Sequence, residues 1–216
     1  MRKELKIGIG LWMVAGLAYV FLKLPAAKFF ADPELARIVA LHLPCAYVAV
    51  TASWMSAWHG WKYLQKRELI DDARSASGAG LALLFCALTT ATGSIFAYVQ
   101  WGSFWNWDPR ETSVFLLMLI YCAYFVLRSS IEDIEKRGAI CAVFGLFVAV
   151  MTPLLGYVIP KYLMSLHPTN TKFDSSYRTA IYLGILPPLL GMMFWIQNIA
   201  LRLDRARLAL EEVDYN

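Results

Sequence analysis

The segment Trp101-Gly-Ser-Phe-Trp-Asn-Trp-Asp-Pro-Arg-Glu-Thr112 crowds Trp101, Phe104, Trp105 and Trp107 into one short loop beside Gly102. Tryptophans of an interfacial belt would be scattered over many loops. A cluster this dense points instead to a platform for a flat apolar ligand, because aromatic faces stack on a macrocycle and indole N–H groups can meet its polar edge. The second half of the segment has an ordinary structural reading as well. Asp108 is a good N-cap, Pro109 suits the first helical position, and Glu111 can reach back as in a capping box. Two further residue types supply chemistry. A histidine at a membrane edge is commonly a hydrogen-bonded polar residue, but His42 and His167 together can offer two axial nitrogens to a haem iron. Arg37 and Arg110 carry guanidinium forks suited to the carboxylates of a haem.

The elements that must hold these residues are membrane spans. Hydrophobic residues make up 59% of the 216-residue chain and charged residues 17%, an apolar load that calls for lipid as solvent. Apolar runs cover Leu5 to Leu22, Ile38 to Trp58, Gly80 to Val99, Ser113 to Leu127, Ala139 to Ile159 and Ala180 to Leu201, each near the length of a transmembrane helix, with the fourth the shortest. Runs such as Val114 to Ile120 are apolar on every side, which excludes the alternation of a membrane strand. The expected fold is therefore an all-α integral membrane protein of about six helices, residues 1–216 forming one membrane domain. The first run, behind Arg2, Lys3 and Lys6, resembles a signal sequence as well as a span, and its length predicts an uncleaved anchor.

Parity then sorts the loops. With the amino terminus inside, roughly 13 Lys and Arg residues lie on the cytoplasmic side and roughly 7 outside, so both termini are expected to be cytoplasmic. The outside loops are Lys23 to Arg37, Gln100 to Thr112 and Pro160 to Arg178, which puts His42, the tryptophan-rich segment 101–112 and His167 on one outer face. His59 lies roughly 25 Å from His42 along the same helix. It cannot share the outer site and is expected as an interfacial histidine beside Trp58 and Trp61, or as an inner entry point for the ligand. The inside loop Lys62 to Ser77 and the tail from Arg202 to Glu212 mix both signs of charge, as solvated helical extensions do, and either could dock a partner subunit.

Several functions are disfavoured. Cys45, Cys86, Cys122 and Cys141 fall inside spans without a C-x-x-C or C-x-x-C-H spacing, which argues against a thiol oxidoreductase and against covalent haem attachment. The net charge of +4 is spread over membrane boundaries, so no nucleic-acid partner is expected. The span centres hold essentially no charge, against the pattern of an ion-coupled permease. The run Thr89-Thr90-Ala91-Thr92-Gly93-Ser94 reads as a close helix contact.

The segment WGSFWNWDPRET resembles the tryptophan-rich signature of the haem-handling proteins of cytochrome c biogenesis, the CcmC and CcsA families. The likeness extends to His42 with Leu43-Pro44, to Arg37 and to His167, and covers most of the chain. About six spans match the CcmC branch, while Asp-Pro-Arg-Glu-Thr after the last tryptophan is worded like the CcsA branch. The resemblance implies a haem-handling and delivery protein, with no enzymatic reaction, in the cytoplasmic inner membrane. Haem b would be held non-covalently at the periplasmic face, with His42 and His167 on the iron and Arg37, Trp101, Gly102, Phe104, Trp105, Trp107, Asp108 and Arg110 around it. The implied partners are a periplasmic haem chaperone such as CcmE and an ATP-binding cassette complex that releases it once loaded. The alternative from another class is a membrane b-type cytochrome carrying electrons.

Overall fold

The computed structural model describes residues 2–27, 30–167 and 173–214, with side chains as far as Arg202. Six helices are long and apolar enough to cross a membrane: α1 Lys3–Leu22, α2 Leu35–Lys66, α3 Leu69–Trp101, α4 Pro109–Ser129, α5 Ile134–Lys161 and α6 Ser175–Arg202, the last continuing as helix to Asp214. Each apolar run of the sequence falls inside one of them, including the short fourth run, and no strand occurs among the described residues. Parts of the expected outer loops, at 28–29 and 168–172, lie outside the described residues, as do the side chains of the expected solvated tail.

The helices extend beyond the apolar runs, and this changes the expected inside loop. Residues 62 to 77 are helical except at Arg67 and Glu68, where Arg67 turns the chain with φ of 58°. They are not uniformly solvated. Asp71 and Asp72, in the first turn of α3, are buried. Asp72 accepts two hydrogen bonds from Arg128 of α4, at 2.8 and 2.6 Å. Asp71 accepts from His59 Nδ1 at 2.9 Å and lies 3.6 Å from Arg74. Buried charge persists only when paired, so these residues clamp α2, α3 and α4 at the end of the bundle remote from His42. His59 is thus anchored to a carboxylate, while its neighbours Trp58 and Trp61 stay exposed.

Close approach of the helices depends on small residues, as it must where lipid removes the hydrophobic drive between helices. A Cβ at Gly78 of α3 would sit 2.9 Å from the Ser56 backbone of α2, and one at Gly60 would press on Ser75 and on Ala142 of α5. The Ser56 hydroxyl donates to the Ser75 carbonyl at 2.7 Å, so a polar group at this contact is satisfied.

Prolines interrupt the ladders of α5 and α6, and an indole answers one freed carbonyl in each. Pro153 of α5 and the Pro187-Pro188 pair of α6 adjoin π-helical turns at Leu154–Val158 and Ala180–Ile185. Proline has no N–H, so the carbonyls four residues earlier, Ala149 and Leu183, lose their helical donors. Trp54 Nε1 donates to Ala149 at 3.3 Å and Trp12 Nε1 to Leu183 at 2.9 Å. Trp12→Phe should therefore cost about 1 kcal/mol of stability in an otherwise unchanged chain. The same change should cost much less after Pro187→Ala, which returns an N–H to Leu183. Equal losses in the two backgrounds, measured by unfolding in mixed micelles, would show that the indole serves some other purpose.

Candidate functional site

His42 lies near the amino-terminal end of α2 and turns its ring toward α3. Its Nδ1 is 3.1 Å from the Thr89 carbonyl oxygen and 3.2 Å from the Thr92 hydroxyl. A carbonyl can only accept, so Nδ1 carries the proton and Nε2 keeps its lone pair. The ring fits because of a glycine. A Cβ at Gly93 would stand 2.9 Å from His42 Cε1, so any other residue there would collide with the imidazole.

His167, on the segment between α5 and α6, is held by a carboxylate in the same fashion. Its Nδ1 lies 2.8 Å from Asp108 Oδ1, and Asp108 is completely buried at its side chain. Asp108 is the N-cap of α4, with the expected capping box formed by Glu111. It also does more than cap. Oδ1 accepts from the Arg110 N–H at 2.9 Å, and Oδ2 accepts from the Ser165 hydroxyl at 2.8 Å and the Leu166 N–H at 2.6 Å. Burial pushes this carboxyl up, but these donors together with His167 hold it below the usual aspartate value. The ionised group therefore accepts the His167 Nδ1 proton and leaves Nε2 open. Burial, with the nearby Arg110 charge, depresses His167 more than the Asp108 carboxylate and Glu111 raise it, so its pKa lies below the ordinary value and the ring is neutral near pH 7. A neutral imidazole with a free Nε2 is the form that bonds a metal.

The four aromatic residues of segment 101–112 do not form one flat shelf. Trp101 is the last residue of α3, and Gly102 caps it with φ of 78°, turning the following residues away. Trp101 meets His167 edge-on, with ring centroids 5.0 Å apart, and Phe96 likewise at 5.9 Å. Phe104 stacks on Tyr98 at 4.4 Å, whereas Trp105 meets Trp107 and Phe115 edge-on at 5.9 Å each. Offset stacking and edge-to-face contact are the two arrangements that the ring quadrupole favours. Trp107 is 75% exposed and has φ of 54°, an uncommon backbone for tryptophan. Glu111 holds it there, since Oε2 accepts from the N–H groups on either side, Asn106 at 2.8 Å and Asp108 at 3.4 Å.

Of the expected arginines, Arg110 lies within electrostatic reach of both histidines, and its buried Nε has no hydrogen-bond partner among the described residues. Arg37 is engaged at the entry of α2, with Nη1 2.8 Å from Glu34 and 3.4 Å from the Phe21 carbonyl. Thr89, Thr92 and Gly93 had a signal in the small polar run of the third span, which does make a helix contact and in addition receives His42. Tyr98, Ser165 and the Leu166 amide had no such signal. The donor set fits an iron porphyrin: two open imidazole nitrogens, the Trp101 ring beside one of them, and an arginine whose buried Nε has no partner among the described residues. No group of three or more His, Cys, Asp or Glu converges among the described residues.

Fold and site together define a six-span helical membrane protein with a paired-imidazole, aromatic-rich site at one end of its bundle. The sequence profile of heme exporter protein C matches residues 4–215, and the chain belongs to that family. It is similar to heme exporter protein C of Paracoccus denitrificans, 25% identical over 201 residues that span 90% of this chain and 80% of that protein. The Escherichia coli K12 protein of the same name is 25% identical over 179 residues, 82% of this chain and 71% of the relative. A shorter likeness, 45% over 60 residues, joins 28% of the chain to 19% of the cytochrome c biogenesis protein CcsA of Prochlorococcus marinus. The family is the one that the number of spans indicates.

Proposed function

We propose that this protein takes haem as cargo, holding it non-covalently between His42 and His167 beside the aromatic segment, and delivers it for cytochrome c maturation. The observation that carries the reading is the shared state of the two histidines. Each has Nδ1 committed to an acceptor on another part of the chain, and each therefore presents Nε2. The names of the relatives point the same way. The site lies on the outer, periplasmic face of the inner membrane, with both termini cytoplasmic, following the distribution of Lys and Arg. Contact with Trp105 and Trp107 and an ion pair from Arg110 hold the macrocycle, while Arg37 supports the entry of α2. The acceptor is a haem chaperone of the CcmE kind, released after loading by an ATP-binding cassette complex. Holding and passing on the cargo requires no bond-making by the chain beyond reversible ligation.

The decisive test is expression with and without the candidate chaperone, followed by separation and haem measurement on each partner. Haem on the chaperone only when this chain is present is the expected result. Haem that stays on this chain and is reduced rapidly by quinol would make the protein an electron carrier instead. A finer test targets the helix contact. Gly93→Ala should push the His42 ring aside and weaken haem retention roughly tenfold, on the scale of losing an orienting contact to a ligand. Its helix content should not change, because the colliding atoms belong to a side chain that can move. Unaltered retention would remove His42 from the site.

A further inference from the structure

At the end of the bundle opposite His42 and His167, a trough of about 590 Å³ runs along the surface between α2 and α5. Leu64 lines it from α2, and Ala139, Ile140, Val143, Phe144 and Phe147 line it from α5, with Arg67 completing it. Ile140, Val143 and Phe147 are exposed, so this wall faces lipid in a membrane-spanning bundle. The guanidinium of Arg67 lies over the Tyr63 ring, 5.8 Å from its centroid. That ring is buried and covers Gly138, and its hydroxyl donates to the Glu135 carbonyl at 3.3 Å. Arg137 adjoins Gly138 in sequence, and its buried Nε has no hydrogen-bond partner among the described residues. Arg67 thus lies over the tyrosine face and lines the apolar trough, and Arg137 sits on α5 next to the glycine that this tyrosine covers. Neither makes an ion pair among the described residues, and Asp133 is occupied in capping α5 through the Lys136 N–H.

We infer that this trough binds one anionic phospholipid, an acyl chain lying along Leu64 to Phe147 and the phosphate lying between Arg67 and Arg137. A purely apolar groove would accept any lipid tail, but guanidinium forks at the level of a helix end select a phosphate. A transmembrane helix of a partner would satisfy the apolar wall and leave both cations unanswered. The site is independent of the histidines at the other end.

The test uses the whole chain purified in mild detergent, with native mass spectrometry to count retained lipid and thermal unfolding to measure its effect. The wild type should keep one phosphatidylglycerol and gain stability from that lipid, with no gain from phosphatidylcholine or from glycerophosphate. Arg67→Gln with Arg137→Gln should weaken phosphatidylglycerol binding about 30-fold. Ala139→Trp should displace the lipid by filling the trough while both cations remain, and it carries the test if the double variant does not fold. Equal stabilisation by the two lipids, stabilisation by glycerophosphate alone, or full lipid retention by Ala139→Trp would overturn the assignment. So would a subunit of a native complex found in the trough in place of lipid.

Discussion

Changing His42 and His167 together to Ala is expected to abolish the Soret band of the purified protein, with the helical content intact. If each ring contributes one Nε2, as proposed, a single change should leave a five-coordinate or water-ligated iron with a shifted spectrum, and only the double change should remove both bonds. Losing a partner that merely orients a metal ligand costs ten- to hundredfold in affinity, and losing both ligands should exceed that. Added imidazole should restore much of the single-variant spectrum, because a small base can occupy the vacated axial position. Trp105→Ala and Trp107→Ala should behave differently. They remove stacking area, weaken retention and leave the axial spectrum recognisable, and imidazole cannot replace what they lack. Haem content unchanged in the double histidine variant, or axial spectra lost only in the tryptophan variants, would reverse the assigned roles.

The distinction between these groups was legible in the sequence to different depths. Spans were readable because crossing lipid is a demand on composition: each apolar run had to become a helix, and each did. The gathering of His42, segment 101–112 and His167 at one end followed from counting spans, and it needed no knowledge of packing. Local caps were readable too, because Asp108-Pro109-Arg110-Glu111 carries its own hydrogen-bond logic within one turn.

What the sequence concealed lies in contacts between distant positions. Nothing near Asp108 announces that its second oxygen would receive Ser165 and Leu166, residues 57 and 58 positions away. Nor does Gly93 declare that its missing side chain makes room for His42. The charged stretch after Lys62 looked like a solvated face because its pattern is mixed in sign, yet Asp72 finds Arg128 from the next helical hairpin and is buried by it. The aromatic loop misled in a related way. Composition can say that four rings are close in sequence, but Gly102 and the two amides held by Glu111 help to part them into separate groups, Phe104 stacked on Tyr98 and the tryptophans meeting their neighbours edge-on.

Asp108 joins the local and the distant layers, and its variants should separate them. Asp108→Ala removes the N-cap of α4, worth about 1 kcal/mol, and strands the Ser165 hydroxyl and the Leu166 N–H at about 1–3 kcal/mol each where they remain buried. It also releases His167 Nδ1, so haem affinity should fall roughly ten- to hundredfold. Asp108→Asn does not rescue the site. Four donors converge on the two carboxylate oxygens, and an amide offers one oxygen to them while its NH₂ faces other donors. Asp108→Ser is the informative change, because serine is as good an N-cap as aspartate but is too short to hold the loop that carries His167. It should recover much of the thermal stability lost in the Ala variant while haem retention stays low and the spectrum shows loss of one axial imidazole. If Asp108→Ser retained haem as tightly as the parent, the carboxylate would be a helix cap alone, and His167 would owe its orientation to something other than Asp108.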